Sequence, residues 1–368
     1  MNHRVKPRKQ SHSDFTGGMI DQLNCPHCGT TGELELDKQI HKLALDISGV
    51  EKPELLAEMI TTAVRVSRGN VSYGDFKLMN RALKEMMTSS EIFHHYQDCR
   101  KVAVFGSART DPDHPAYQTA AEFSRRMAEI DFMTITGAGP GIMAAGNEGA
   151  GRENSFGLNI SLPFEASANE FIFGDEKLID YNYFFTRKLA FVKEADALAA
   201  FPGGFGTMDE AFEALTLIQT GKARIYPTVL VDEPGGEYWK TWDAFVRKDL
   251  FGNGLISESD FALYKITDSI DEAVAEITQF YSNFSSYRYV GDQLIIRMAN
   301  LLSDEALETL NNDFPEIIKA GKITQIRPED PAPDSKNPDK LPRLVFRHKR
   351  RDYGRLRQFI DAVNTLAQ

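Results

Sequence analysis

A glycine-rich turn with a carboxylate close behind it is the part of this 368-residue sequence with the clearest chemical potential. In Ala199–Ile218, AAFPGGFGTMDEAFEALTLI, a hydrophobic run stops at a proline and is followed by Gly203, Gly204 and Gly206. Glycines let the backbone approach a ligand closely, and the N–H groups at the start of a helix attract anions. A phosphate group could therefore bind to this turn and to the hydroxyl of Thr207.

Glu210, three residues after Thr207, also fits a purely structural pattern. Thr-x-x-Glu is the spacing of a capping box, in which each side chain accepts a hydrogen bond from the other residue's backbone at the start of a helix. This arrangement would account for both residues without any catalysis. Local sequence alone favours the helix cap, with a helix beginning at Thr207.

A second glycine turn, TGAGPGIM at residues 136–143, lies between a predicted strand and a predicted helix. Gly139 and Gly141 could expose backbone N–H groups to a phosphate. No Lys-Ser/Thr pair follows, so this is not a Walker A loop, and the full dinucleotide fingerprint is also missing. A phosphate site and a simple tight turn both remain open.

Arg187 and Lys188 stand near the start of a predicted helix. Cations are disfavoured beside the positive end of a helix dipole, so an anionic partner could compensate them. A solvated first turn would explain the same pair without any ligand.

The elements that must position these residues alternate between strands and helices from Lys101 onward. Continuously apolar strand segments such as KVAVFGS and ALAAFPGG indicate an α/β fold, with a doubly wound parallel sheet covered on both faces. Ligands of such sheets bind beyond the carboxyl ends of the strands. Three glycine turns are predicted at that edge: Gly106-Ser107, Gly137–Gly141 and Gly203–Gly206.

We predict four segments along the chain. They are a polar tail (1–18), a helical extension (19–100), the α/β core (101–284) and a C-terminal extension (285–368) with a predicted strand and a basic helix. Glu329–Asp334 lies in a proline-rich polar stretch to which no structure is assigned.

The C-terminal extension has a basic cluster with two interpretations. It could contact a nucleotide or nucleic acid, or form a solvated face that pairs with the acidic stretch before it, and the second is favoured. Its members are Arg343, Arg347, Lys349, Arg350, Arg351, Arg355 and Arg357.

Cys25 and Cys28 form a CPHC segment, which is half of a zinc knuckle. A structural zinc site needs about four ligands, and no second such pair exists in the sequence. His3, His12, His41 or a second chain could complete it, but a turn with two reduced cysteines is favoured, and no metal or cofactor is expected.

Composition narrows the class of protein. A net charge of −11 argues against general nucleic-acid binding, and no apolar run is long enough to span a membrane. Three cysteines give no disulfide framework, and the basic N-terminus lacks an apolar segment typical of a secretion signal. We therefore expect a cytoplasmic protein.

These motifs together resemble the LONELY GUY (LOG) family. PGGFGTMDE at 202–210 matches its PGGxGTxxE motif, and Arg187-Lys188 matches its upstream Arg-Lys pair. Residues 101–109, 137–150 and 157–169 are similar to further blocks of the longer bacterial members. The resemblance covers about residues 101–284. Members were often labelled lysine decarboxylases, but no lysine here makes a case for pyridoxal phosphate.

The resemblance implies a Rossmann-like homodimer, or a larger assembly, that cleaves the N-glycosidic bond of nucleoside 5′-monophosphates. AMP and cytokinin riboside monophosphates would be substrates, with free base and ribose 5-phosphate as products. Arg187 and Glu210 would be the catalytic pair. The substrate would bind Lys188, Gly203, Gly204, Gly206, Thr207 and Thr216, and also Gly106, Ser107, Gly139 and Gly141 in the other two turns. The alternative is a non-catalytic carrier of a nucleotide or of molybdenum cofactor.

Overall fold

The structure, a computed structural model, describes residues 29–47, 49, 53–161, 168–334 and 340–367. Cys25 and Cys28, and part of the 157–169 block, lie outside these residues. Contacts divide the chain into two compact units, with the boundary between Met87 and Thr88.

The N-terminal part of the chain is helical, as its three- and four-residue apolar spacing predicts. The helices there are α1 (Leu34–Ile47), α2 (Pro53–Arg68) and α3 (Tyr73–His94). No helix in the described part of the chain is both long and apolar enough to cross a membrane.

A seven-stranded parallel sheet forms the centre of the second unit, in the order β4-β3-β2-β1-β5-β6-β7. Its strands are β1 (Arg100–Phe105), β2 (Phe132–Thr136), β3 (Ser155–Ile160), β4 (Leu178–Tyr181), β5 (Ala197–Ala200), β6 (Thr228–Val231) and β7 (Lys265–Thr267). The helices that connect them are α4 (Pro115–Glu129), α5 (Ile142–Ala150), α6 (Phe184–Glu194), α7 (Phe205–Gln219), α8 (Tyr238–Phe245) and α9 (Ile270–Phe280). The predicted Rossmann-like α/β fold is confirmed.

Side chains of β1 alternate between the two layers of helices. Val102 and Val104 pack in the core beneath α4, α5 and α9, whereas Ala103 and Phe105 belong to the core beneath α6 and α7. The chain therefore moves to one face of the sheet after β1 and to the other face after β5. Because these two strands are neighbours, their carboxyl ends form a topological switch point, where parallel sheets bind ligands.

An antiparallel sheet of four strands completes the second unit, in the order β10-β11-β9-β8. The remaining elements are β8 (Phe284–Val290), β9 (Gln293–Met298), α10 (Asp304–Asp313), β10 (Ile318–Ile326), β11 (Arg343–His348) and α11 (Tyr353–Thr365). Sequence analysis predicted only β11 and α11 here. Helix α11 packs on the core at Gly221, just after α7, where an added Cβ would lie 2.1 Å from the ring of Tyr353.

The polar stretch before β11 contains a buried charge, which corrects its treatment as unstructured. The side chain of Asp334 is fully buried and accepts hydrogen bonds from the guanidinium groups of Arg297 and Arg343. These groups, with Arg288, hold the pKa of Asp334 below its ordinary value against the effect of burial. A charge is tolerated in this position because it is paired.

The basic cluster is only in part the solvated face that was predicted, because Arg347 and Arg351 are exposed but other members are not. Arg343 and Arg357 are buried, and the second pairs with Glu276 and Asp361. The pairing with Glu276 was invisible in the sequence because Glu276 lies in α9, whereas Asp361 stands four residues after Arg357 on the same helix. The expected pairing with the preceding acidic stretch holds for Arg343, through Asp334.

Candidate active site at the switch point of the sheet

Three glycine turns meet at the carboxyl edge of the sheet, as predicted. The N–H of Ser107 donates to the carbonyl of Pro202 over 3.1 Å, and the carbonyl of Ser107 accepts from the N–H of Ile142 over 3.0 Å. The turn after β1 is thus hydrogen bonded on one side to the turn after β5 and on the other to the turn after β2.

Three glycines are needed for this close packing. A Cβ on Gly203 would lie 2.1 Å from Thr207 Oγ1, and one on Gly141, where φ is 65°, would lie 2.3 Å from the carbonyl oxygen of Ser107. A Cβ on Gly106 would lie 2.5 Å from the side chain of Ile142, whereas one on Gly139 would meet only the flexible end of Met143. Gly203, Gly141 and Gly106 therefore exclude larger residues for structural reasons alone.

Gly204 and Gly206 have a different environment. A Cβ at either position would meet no atom within 4 Å, so packing does not demand glycine there. Phe205 between them is 97% exposed. The start of α7 is therefore an open turn of backbone N–H groups, which is the environment that an anion requires.

The capping-box interpretation of Thr207 and Glu210 is wrong. α7 begins at Phe205 with Gly204 as its N-cap, and no side chain caps it. Thr207 is consequently the third residue of the helix, and Glu210 lies in its second turn, too far along to reach the N-cap. Glycine is an acceptable N-cap residue, so the helix starts two residues earlier than the Thr-Glu spacing suggested.

Glu210 is instead part of a charged cluster between α6 and α7. Its carboxylate lies 3.9 Å from the ammonium of Lys188, which also contacts Asp209 at 2.7 Å and Glu213 at 2.6 Å. Burial, the largest effect, raises the pKa of Glu210 to about 7, although the charges of Lys188 and Arg187 oppose the rise. A carboxyl group with this pKa can exchange a proton near neutral pH.

Arg187 faces the turn after β2 from the first turn of α6. Its Nη1 would lie 3.7 Å from a Cβ on Gly137, and its guanidinium lies 5.1 Å from the centre of the Phe184 ring. Its charge also acts on the Glu210 carboxyl. The fold thus brings the Arg-Lys pair to the same edge as the glycine turns, which the sequence could indicate only through the family motif.

Thr216 is not brought to the glycine turns. It is exposed, and its position nine residues after Thr207 places it about 13 Å further along α7. It lies one turn beyond Glu213, on the face that carries the carboxylates.

Sequence reasoning missed several residues of this region. Asp209 and Glu213 both contact Lys188. Their four-residue spacing places the two carboxylates on one face of a helix, and this spacing could have indicated them in the sequence. A cavity of about 380 Å³ adjoins Gly203 and is also lined by His114 and Asp232. Asp232 directly follows the buried strand β6, a position that predicts a place at the ligand edge.

Tyr238, which lines the same cavity, holds the glycine turn that follows β5. Its hydroxyl donates to the carbonyl of Gly203 over 2.5 Å. Asp232 is buried, which raises its pKa, and its Oδ2 accepts from the N–H of Trp239. Among the residues that the structure describes, no group of three metal-binding side chains is found, and His41 is exposed.

Comparison with known proteins gives a family match in this region. Residues 141–277 match a family model described as "possible lysine decarboxylase". No curated protein matches the chain.

Several solved structures are similar over about half of the chain. The molybdenum cofactor carrier protein from Chlamydomonas reinhardtii is 19% identical, with a TM-score of 0.35, over 49% of this chain and 97% of that one. The molybdenum cofactor binding protein from the phototrophic bacterium Rippkaea orientalis is 17% identical, with a TM-score of 0.35, over 48% and 93%. DNA processing protein A from Helicobacter pylori, which binds single-stranded DNA, is 16% identical, with a TM-score of 0.34, over 48% and 78%. TM-scores this low support no functional argument.

Proposed function

We propose that the protein is an enzyme of the LOG type, which the match of residues 141–277 to the family model supports, and that it hydrolyses the N-glycosidic bond of purine nucleoside 5′-monophosphates. Water adds to C1′ of the ribose, the base leaves with a proton, and ribose 5-phosphate remains. The observation that carries the proposal is the buried Glu210 carboxyl, held beside Lys188 at the edge where the open glycine turn lies.

In this proposal the 5′-phosphate binds at the open start of α7. An added Cβ at Gly204 or Gly206 would meet no atom within 4 Å, so this turn leaves room for a ligand, and Thr207 offers a hydroxyl in the same turn. A phosphate held there places the sugar at the switch point and contributes binding energy remote from the reacting bond. Ser107, Gly139 and Gly141 shape the neighbouring walls.

Glu210 then acts on the ribose. Breaking the glycosidic bond produces an oxocarbenium-like transition state, which a carboxylate stabilises while it polarises the attacking water or a ribose hydroxyl. Lys188 and Arg187 favour the ionised form of Glu210, although burial keeps its pKa near 7. Arg187 can also neutralise negative charge on the substrate.

The description as a lysine decarboxylase receives no support from Lys188. A lysine that forms a Schiff base needs a lowered pKa. Burial lowers the pKa of Lys188, but hydrogen bonds to Asp209 and Glu213 outweigh that effect, and its pKa is raised. Lys188 is therefore a fixed cation that orders the carboxylates.

We also propose that the protein works as a homodimer, with the partner covering the region around α6. Phe184 and Phe185 are each about half exposed, Leu189 is 37% exposed, and Phe205 protrudes from the glycine turn. Apolar surface gathered beside a polar site is typical of an interface. Light scattering coupled to size-exclusion chromatography tests this, and a monomer would contradict it.

The decisive experiment incubates the protein with AMP and with isopentenyl-adenosine monophosphate and measures free base by chromatography. We expect base release by the wild type and a loss of at least 100-fold in the Glu210→Gln variant. If the wild type and Glu210→Gln both bind nucleotide but neither releases free base from any nucleoside monophosphate, the carrier function is favoured. A carrier would need only the open glycine turn to bind its ligand.

A further inference from the structure

A second pocket lies far along the chain from the candidate active site, at one end of the antiparallel sheet. It has a volume of about 540 Å³, within the range of ligand sites. Four of its lining residues are basic, and they come from β10 and from the turn between β11 and α11. They are Lys319, Lys349, Arg350 and Arg351.

The pairing of basic residues differs inside and outside this pocket. Outside it, Arg355 pairs with Glu316 and Arg357 with Glu276, while Arg343 is bound to Asp334.

Within the pocket, Lys319, Lys349 and Arg351 have no carboxylate within 4 Å in the described part of the chain. The one acidic residue of the lining, Asp292, pairs with Arg347. The pocket therefore carries a concentrated positive charge in a chain whose net charge is −11.

The turn that carries three of these cations is held in an unusual conformation. Arg350 and Asp352 both have positive φ, 55° and 57°, which is rare for residues other than glycine. The Arg350 side chain donates to the carbonyl of Gly291 and lies over the ring of Tyr289, at 4.5 Å. Such conformations persist only where the surroundings fix them, and they are found preferentially at functional sites.

His348 anchors this turn from beneath and is only 2% exposed. Its Nδ1 accepts from the backbone N–H of Arg350 over 3.1 Å and lies 2.7 Å from the hydroxyl of Tyr289. Because Nδ1 is an acceptor, the neutral ring carries its hydrogen on Nε2, and that buried donor has no partner among the described residues. A buried donor without an acceptor costs free energy, so the surroundings hold His348 in place at the expense of this group.

We propose that this pocket binds a compact anion with two or more phosphate groups, such as pyrophosphate or a nucleoside polyphosphate. Lysine and arginine side chains that converge from separate elements can each contact a different phosphate oxygen. A long nucleic acid fits less well, because the remainder of this acidic chain would repel it. The site is separate from the proposed catalytic site and does not depend on its activity.

The test is isothermal titration calorimetry of the full chain with pyrophosphate at low salt. Lys319→Glu is compared with Lys322→Glu, which makes the same charge change on the same strand at an exposed residue outside the lining. We expect wild-type binding to weaken at least tenfold in Lys319→Glu and less than threefold in Lys322→Glu. Circular dichroism establishes that both variants are folded.

Three outcomes would overturn the proposal. The first is no binding heat with the wild type. The second is unchanged affinity in Lys319→Glu, which would place pyrophosphate elsewhere, including the glycine turns of the core. The third is equal weakening in both variants, which would mean unspecific attraction. If the first outcome is found and a single-stranded oligonucleotide binds instead, the ligand of this pocket is a nucleic acid and not a small polyphosphate.

Discussion

The ammonium group of Lys188 lies 3.9 Å from the carboxylate of Glu210, farther than from the carboxylates of Asp209 and Glu213. The ammonium of Lys188 is thus shared by three carboxylates, and the buried one, Glu210, lies farthest from it. Burial can therefore raise the pKa of Glu210 to about 7 despite a lysine and an arginine nearby.

The first prediction concerns the pH dependence of base release. If the ionised Glu210 carboxylate is the active form, kcat/KM falls on the acidic side with an apparent pKa near 7. Glu213 raises that pKa by its negative charge, so Glu213→Gln should move the acidic limb to lower pH. Glu153→Gln, at an exposed residue elsewhere, is the control and should leave the profile unchanged. A limb that does not move would show that another group titrates.

The second prediction concerns stability. Native Glu210 keeps its proton up to about pH 7, whereas an unfolded glutamic acid releases it near 4.5. Its contribution is therefore fully present below pH 4.5 and is lost as pH rises towards 7. Glu210→Gln should consequently be more stable than the wild type at pH 8, by up to about 3 kcal/mol, and nearly equal to it at pH 4. Urea unfolding at both pH values measures this, and a variant that is less stable at pH 8 would contradict the assignment.

The third prediction separates the glycines that pack from those that face a ligand. Gly206→Ala should raise stability by about 0.5–1 kcal/mol, since Gly206 is helical and an added Cβ meets nothing. Its KM for the nucleotide should nevertheless increase, because the proposed phosphate site occupies this open space. Gly203→Ala should lose both stability and activity, since its Cβ would clash with Thr207 and Ser107.

Thermal unfolding and steady-state kinetics of these two variants provide the measurements. Gly206→Ala with an unchanged KM would show that the phosphate does not bind at the start of α7. Tolerance of Gly203→Ala would contradict the close contact between the turns.

The fourth prediction concerns acid sensitivity of the antiparallel sheet. Burial, and then the charge of Arg350, lowers the pKa of His348 to about 4. An unfolded histidine takes up a proton near pH 6.5, so the stability contributed by His348 is lost as pH falls from 6.5 to 4, by up to about 3 kcal/mol. His348→Asn can still accept from the N–H of Arg350 but does not titrate. Its free energy of unfolding should fall less steeply over this range, and an unchanged slope would exclude His348 as the cause.

Parts of the candidate site could be read from the sequence because they depend on local rules. Apolar strands that alternate with helices require a parallel sheet, and a parallel sheet places the turns after its strands at one edge. Gly106, Gly139 and Gly203 were found in this way. Glu210 was assigned to catalysis by family resemblance, since local rules favoured a helix cap.

Other features depended on distances between remote segments. Because α7 begins at Phe205, Thr207 and Glu210 do not form a helix cap, and Glu210 lies in the second turn. Burial between α6 and α7 then raises the pKa of Glu210. Asp334, in a stretch that composition marks as polar linker, is buried because two arginines of the antiparallel sheet surround it.

The sequence by itself therefore determined the fold of the core, the edge where a ligand would bind and the glycine turns at that edge. These follow from periodicity and backbone conformation, which act over a few residues. Only the tertiary structure decided which charges are paired, which carboxyl group is buried and which basic residues share a pocket. Electrostatic and desolvation energies depend on distance in space, and the order of residues along the chain does not specify that distance.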